Sequence, residues 1–356
     1  MQPSLVKTKN QLEKKIDSWI NGISKTGIMR TSAIPDLSNL SRQGKDHVLV
    51  EAIDFNQHIC PNHFRKVVEL EELKLGNTLA MLDFGAQRVD SSLLKELLAW
   101  VDSQKEKIKQ LNLATLATSG QAWRYLVDWM LKTKCEIQSI DLGKMKMNLS
   151  RTKDIVTLLQ EPDINIGRLD FGASSWSFCE VKAFLWMGGL SKSSALTRLA
   201  LGDAKFCQNG LRLLMKHIAL PNSQIQVFSS GVVEIPGKDL GELIDHICLG
   251  RSDFLSIVLS NQTLDEKRST AIARLISTET TLKNLALVNC WYDHGALMDS
   301  LKEGKVENLY IEAITAGQIQ QLITSFEDKG YRVERQVTRH RVSLKIDSSQ
   351  KKDSKR

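Results

Sequence analysis

A short apolar pattern recurs along most of this 356-residue chain and limits the folds that it can adopt. Triplets of apolar residues spaced i, i+3 and i+5 return ten times, at intervals of 28 to 30 residues and a final interval of 24. Their middle residues are Ile53, Leu82, Leu111, Ile140, Leu169, Leu199, Phe228, Ile257, Leu285 and Leu309. A repeat of this length is typical of solenoids, in which each unit buries its apolar face against its neighbours.

Helical periodicity fills the intervals between the triplets. Residues 92–101, 123–131 and 211–218 carry apolar side chains at i, i+3, i+4 and i+7. Each unit is therefore predicted to contain a short strand, a loop, an amphipathic helix and a return loop, so successive strands must run parallel. The predicted fold is α/β: a right-handed, horseshoe-shaped solenoid of about ten repeats, with a parallel concave sheet and outer helices.

The chain resembles leucine-rich-repeat proteins of the ribonuclease-inhibitor-like class over residues 48–328. The LxxLxL motif of that family corresponds here to residues 79–84 (LAMLDF) and 282–287 (LKNLAL). The Asn or Cys that follows the strand in the family is mostly absent and stands cleanly only at Cys290, so irregular loops are expected. The unit around Ser230 has a polar residue in its triplet and is expected to be distorted.

Four regions are predicted along the chain. Residues 1–46 form an N-terminal helical cap (4–24) and a linker, residues 47–330 the solenoid, residues 331–346 C-terminal capping strands, and residues 347–356 a disordered basic tail. The formal charge of +7 comes from the two ends. From position 329 onward there are ten basic and three acidic residues, and residues 1–46 contain eight basic and four acidic residues. The body between these ends is therefore mildly acidic. This distribution argues against a body that wraps nucleic acid.

The residue between the last two apolar positions of each triplet is predicted to face outward onto the concave sheet. In the first five units these residues are Asp54, Asp83, Asn112, Asp141 and Asp170. Stacked carboxylates on adjacent strands repel one another. Two interpretations remain: the row holds a cationic group of a partner, or the carboxylates are simply solvated.

Further candidates for partner contact flank this row. Arg168 and Arg198 each stand two positions before the outward residue of their strand, and Arg168 could instead neutralise Asp141 or Asp170. Trp176, Trp291 and Tyr292 follow strands and are candidate interface anchors. The helical tryptophans are expected to pack between units: Trp100, Trp123, Trp129 and Trp186.

Two positions after the outward row, small residues recur. They are Gly85, Ala114, Gly143, Gly172, Gly202 and Gly231. The favoured interpretation is a tight turn that needs φ > 0, which glycine tolerates. The alternative is close approach of a partner to the strand ends.

No motif of phosphate-binding loops, zinc proteases or serine hydrolases is present. The spacing of His58, Cys60 and His63 fits no standard zinc site, and the six cysteines lack a CxxC pair, which favours a reducing compartment. We therefore expect no enzyme activity, no cofactor and no metal.

The expected partner is a protein bound on the concave face, with a basic patch or an active site to be blocked; no membrane partner is expected, and nucleic acid is disfavoured. The resemblance implies an inhibitor, a scaffold, a sensor or a translocated bacterial effector, located in the cytoplasm of its own cell or of a host. Two alternatives stay open: a GTPase-activating regulator of a small GTPase, and a binder of nucleic acid or acidic surfaces through the basic ends.

Overall fold

The three-dimensional structure is a computed structural model. It describes residues 137–191, 195–251 and 253–292 without a break. Elsewhere it describes Val306 and residues of individual helices and strands between positions 14 and 347. Internal contacts divide the chain into two units, residues 1–146 with 157–166 and residues 147–156 with 167–356. Both units combine helices with parallel strands, so the chain is α/β as the repeat pattern predicts.

The described helices follow the strands at regular intervals. They are α1 (Ser91–Ser103), α2 (Gly120–Thr133), α3 (Leu149–Gln160), α4 (Phe178–Trp186), α5 (Gln208–Ile218), α6 (Gly237–Cys248) and α7 (Glu266–Ser277). Helix α5 buries Leu211, Leu214, Met215 and Ile218, the apolar stripe that predicted it. Helix α4 begins with a capping box in which the Ser177 hydroxyl accepts the Cys179 N–H.

The first unit contains a five-stranded parallel sheet and a separate parallel pair. Its strands are β1 (Ile28–Arg30), β2 (Val48–Val50), β3 (Ala52–Asp54), β4 (Leu73–Leu75), β5 (Leu79–Asp83), β6 (Ile108–Asn112) and β7 (Ser139–Asp141). The sheet order is β1-β3-β5-β6-β7, while β2 pairs with β4.

The second unit contains six parallel strands that end in an antiparallel hairpin. Its strands are β8 (Arg168–Asp170), β9 (Ser175–Trp176), β10 (Arg198–Ala200), β11 (Lys205–Phe206), β12 (Val227–Ser229), β13 (Ser256–Ser260), β14 (Thr263–Leu264), β15 (Asn284–Val288), β16 (Trp291–Tyr292), β17 (Asn308–Ala313), β18 (Arg332–Val337) and β19 (Val342–Asp347). The order is β8-β10-β12-β13-β15-β17-β19-β18. The pairs β9–β11 and β14–β16 form small parallel sheets beside it.

Strand β1 lies in the region that the sequence assigned to a linker, so that assignment is wrong for residues 28–30. β1 pairs in parallel with β3, and Met29 is fully buried. Threonines stand at positions 26 and 31, where the apolar triplet would have its outer members, so the pattern does not reach β1. In the predicted N-terminal helix, the described residues 14, 15, 18, 19 and 22 are helical. The rest of residues 1–46, the region boundaries at 46/47 and 330/331, and residues 348–356 lie outside the described residues.

The triplets form the core. All three residues of every triplet from Ile137 to Ile311 are buried, including the serine at position 230. The strand register carries this pattern from one repeat to the next: Leu169 lies opposite Leu199, and Leu199 opposite Phe228, offsets of 30 and 29 residues. Equivalent residues of successive repeats therefore stack directly on one another in the sheet.

The same turn follows four successive strands. The N–H groups of Met145, Ser174, Ala204 and Val233 each donate to the carbonyl oxygen three residues earlier, at 3.1–3.2 Å. The second residue of each turn is a glycine with φ between 51° and 57°: Gly143, Gly172, Gly202 and Gly231. In the next two repeats, Asn261 and Asn289 take up the left-handed conformation after the strand. The expectation of irregular loops is therefore wrong for the four repeats that share the glycine turn, and the turn interpretation is confirmed for their glycines; Gly85 and Ala114 lie outside the described residues.

The expected distortion around Ser230 does not reach the turn, because the next repeat satisfies its hydroxyl; in its described residues this repeat does lack the short second strand of its neighbours. Ser230 Oγ accepts the Ser260 N–H at 2.9 Å. The buried Gln262 amide lies beside it, accepting the Ile235 N–H at 2.9 Å and donating to the Val233 carbonyl at 2.8 Å. Gln262 stands where the family has Asn or Cys, and it ties the loop backbone of two repeats together.

We predict that Gly231→Ala destabilises the protein by about 2–4 kcal/mol, since a Cβ there is strained by φ and overlaps the Gly202 carbonyl group. The matched control is Gly241→Ala in helix α6, where a Cβ meets no atom within 4 Å. We expect the control to be neutral or stabilising by about 0.5–1 kcal/mol. Urea unfolding measures both, and equal effects would contradict the turn geometry.

Candidate functional site

In the first unit, the strand register brings the predicted acidic row together. Asp54 lies opposite Asp83, Asp83 opposite Asn112, and Asn112 opposite Asp141. Arg30 of β1 lies opposite Asp54 and adds a basic residue to the end of the row. Sequence reasoning missed Arg30 because it did not detect the strand that carries it.

In the second unit, the same row continues with small and apolar residues. From β8 to β17 its members are Asp170, Ala200, Ser229, Val258, Ala286 and Tyr310, each opposite the next. All six are half-buried. Asp170 is the one charged residue of this row between β8 and β17, so the acidic character does not extend across this sheet.

The aspartates at the ends of β7 and β8 have a local structural role. Asp141 Oδ1 accepts the Gly143 N–H at 2.8 Å, and Asp170 Oδ1 accepts the Gly172 N–H at 2.9 Å. Such a bond to the backbone two residues on is an Asx-turn. Because it stabilises the turn after the strand, Asp at positions 141 and 170 has an explanation that requires no partner.

Arg168 and Arg198 lie directly opposite each other on β8 and β10. The Arg168 guanidinium is 3.7 Å from Asp170 Oδ2 at a partly exposed site, so this ion pair contributes little stability. Arg198 is exposed, and among the described residues no acid lies within ion-pair distance of it. Positive charge therefore dominates the surface at the starts of β8 and β10.

Half-buried valines lie beside the arginines on the same side of the sheet. Val227 is opposite Arg198, and Val258 and Val288 follow on β13 and β15. Their strand neighbours Ile257 and Leu287 point the other way and are buried. We call the surface formed by Arg168, Arg198, Val227, Val258 and Val288 the open face; serines at positions 229, 256 and 260 lie among the valines, and the arginines form a basic edge.

Trp176 does not belong to this face, so its prediction as an interface anchor is wrong. Only 2% of Trp176 is exposed, and its Nε1–H donates to the Ser174 hydroxyl at 2.8 Å. Its ring packs edge-on against Phe171 at 4.8 Å between centroids and stacks with Phe206. The small β9–β11 sheet turns this side chain inward. Trp291 and Tyr292 form β16, and their side chains lie outside the described residues.

The expectation for the helical tryptophans is confirmed in three cases and wrong in one. Trp100, Trp123 and Trp129 are buried, whereas 73% of Trp186 is exposed at the end of α4. In this helix Val181, Phe184 and Leu185 take the inward positions. Trp186 follows one residue later and therefore projects outward.

Chemical groups that could support catalysis or metal binding are sparse in the described part. Burial raises the pKa of the Cys290 thiol to about 11, which keeps it protonated and a poor nucleophile. Among the described residues, no group of three or more His, Cys, Asp or Glu side chains could hold a metal ion. His58, Cys60 and His63 lie outside these residues. No described helix has the length and apolarity needed to cross a membrane.

Comparisons with known proteins add no assignment. Neither the scan against protein-family models nor the search of curated proteins found a match to this chain.

We predict that Asp170→Ala lowers the free energy of unfolding by about 1 kcal/mol through loss of the bond to the Gly172 N–H. Asp170→Asn keeps an acceptor at the same place and should retain most of that stability. Urea unfolding of the two variants distinguishes the contribution of the hydrogen bond in the turn from that of the negative charge. If both variants lose the same amount, the ion pair with Arg168 matters and the Asx-turn does not.

Proposed function

We propose that this chain is a leucine-rich-repeat solenoid of the ribonuclease-inhibitor-like class. Three features support the proposal: the regular interval of the triplets, the parallel register that follows it, and the turn shared by successive repeats. Gln262 and Cys290 occupy the position of the family's Asn or Cys and bond to loop carbonyl groups, as Cys290 Sγ does to Leu259 at 3.2 Å. Each repeat is stable only against its neighbours.

We infer further that the protein works without catalysis, by binding a partner protein on the open face. One observation carries this inference: two exposed arginines lie in register on adjacent strands, with half-buried valines, alanines and serines on the same side of the sheet. Arginine beside partly buried apolar side chains is typical of specific protein interfaces. A rigid sheet also holds such side chains at fixed spacings, which favours recognition of one partner surface.

The chemistry of the open face indicates the complementary group on the partner. Opposed guanidinium groups repel each other on adjacent strands and are relieved by an intervening anion. We therefore propose that the partner places a carboxylate between Arg168 and Arg198. For the first unit, the row from Asp54 to Asp141 favours a basic group.

The role of inhibitor remains part of this proposal, because a partner whose active site is acidic would be blocked by such contact.

The test is capture of partner proteins from a cell lysate by the intact chain and by the double variant Arg168→Glu, Arg198→Glu. We expect the double variant to recover each specific partner at least about tenfold less, because like charges across an interface cost several kcal/mol. Mass spectrometry quantifies the captured proteins.

The matched control is Lys267→Glu, an equal type of charge reversal at an exposed position of α7 away from the sheet. It should leave capture unchanged, and all variants should keep the thermal transition of the parent. Identical capture by the double variant and the parent would refute binding at the open face.

A further inference from the structure

An exposed aromatic stripe runs along the outer side of helix α4, away from the sheet. Phe178, Lys182 and Trp186 stand at i, i+4 and i+8 and therefore share one side of the helix. Phe178 is 41% exposed and Trp186 is 73% exposed. The opposite side of α4 is buried in the core, so this stripe faces away from the apolar interior.

Lys182 lies close to both aromatic rings of the stripe. Its ammonium group lies 4.0 Å from the centroid of the Trp186 ring and 6.0 Å from that of Phe178. Cation–π contact at these distances holds the two rings and the charge close together. The stripe thus presents aromatic surface and positive charge at the same place.

The flanking helices continue this character at equivalent positions. Leu149 and Phe178 are the first residues of α3 and α4, and 56% of Leu149 is exposed. In both helices a lysine follows four residues later, Lys153 in α3 and Lys182 in α4. Helix α5 packs on α4, and Lys216 is its ninth residue, the position that Trp186 holds in α4. We call these six residues the outer patch: Leu149, Lys153, Phe178, Lys182, Trp186 and Lys216.

The lysines of the outer patch differ from three of the four Lys and Arg residues of the following helices; the exception is Lys267. On α6 and α7, Lys238 pairs with Glu242 at 3.8 Å, Arg268 with Glu234 at 3.3 Å, and Arg274 with Asp245. In the described part of the chain, no ion pair joins Lys153, Lys182 or Lys216 to an acid. The outer patch therefore has an uncompensated positive charge.

Arg212, the α5 residue equivalent to Lys182, does not add to this charge. Its guanidinium lies 3.6 Å from the buried carboxylate of Asp239. Burial raises the pKa of Asp239, and the nearby arginine opposes that shift. The pair keeps Arg212 engaged with α6.

We propose that the outer patch binds the surface of an anionic lipid bilayer. Tryptophan and phenylalanine enter the headgroup region with their apolar rings, and neighbouring lysines are attracted to anionic lipids. Six side chains offer little area for a protein, since a standard interface takes about 800 Å² and about 20–30 residues from each partner. The sequence disfavoured a membrane partner for lack of a spanning segment, but peripheral contact needs none.

The test is co-sedimentation of the full chain with vesicles of phosphatidylcholine alone and of phosphatidylcholine mixed with phosphatidylserine. We expect binding only to the mixed vesicles, weakening as ionic strength rises. Trp186→Ala and Lys182→Glu should each reduce partitioning about tenfold, through loss of the ring and reversal of the charge. Both side chains are on the surface, so the thermal transition should not move.

Leu249→Ala is the matched control, because this residue is 63% exposed at the end of α6, outside the outer patch. It should bind the mixed vesicles like the parent. Vesicles with brominated acyl chains should quench the parent's tryptophan fluorescence more than that of Trp186→Phe, which keeps an apolar anchor and loses the fluorophore.

Three results would overturn the proposal. The parent chain stays in the supernatant with phosphatidylserine vesicles, Leu249→Ala weakens binding as much as Trp186→Ala does, or the patch binds polyglutamate and not the vesicles. None of these results bears on the open face, so the proposed function and this inference fail independently.

Discussion

Pairing of each parallel strand with the strand one repeat away is the constraint on which the rest of the structure depends. An amphipathic strand and helix of this length cannot bury their apolar sides alone, so the repeats must stack. Stacking succeeds only where consecutive turns come close, as the Gly202 carbonyl does to Gly231. That proximity and a positive φ explain why glycine follows four successive strands. In the next two repeats the left-handed residue comes one position later and is an asparagine, and the Asn289 side chain donates to the side chain of Asn261.

Once the turns fix the register, the alternation of side chains along each strand determines which residues face the core and which lie on the other side of the sheet. Triplet residues fill the core. In each unit, the intervening residues form rows on the other side of the sheet. Asp141 and Asp170 show how such a row serves two purposes. Each carboxylate holds the turn with one oxygen, so the fold itself maintains acidic residues at the edge of the sheet. Among the described residues, the arginines opposite each other on β8 and β10 have no comparable bond to a turn.

The repeat pattern predicted the α/β class, the parallel strands, the buried triplets and the sites of the helices, because these depend on periodicity. It did not predict β1, whose neighbours at positions 26 and 31 are threonines. It also misplaced Trp176 and Trp186, which exchanged their expected environments. The small β9–β11 sheet turns Trp176 inward, and a single residue's rotation along α4 turns Trp186 outward. Such differences arise from packing between repeats, which a sequence pattern does not encode. The register of the candidate row was predictable, but the Asx-turns within it were not.

The central physical claim is that the turn after each strand is held as firmly as the strand itself. Hydrogen–deuterium exchange of the intact protein, resolved by peptide, measures this directly. The account predicts slow exchange at the amides of Met145, Ser174, Ala204 and Val233, recurring at the repeat interval and comparable to the adjoining strands. Exchange at these amides as fast as in freely exposed loops, with protection confined to the helices, would contradict it.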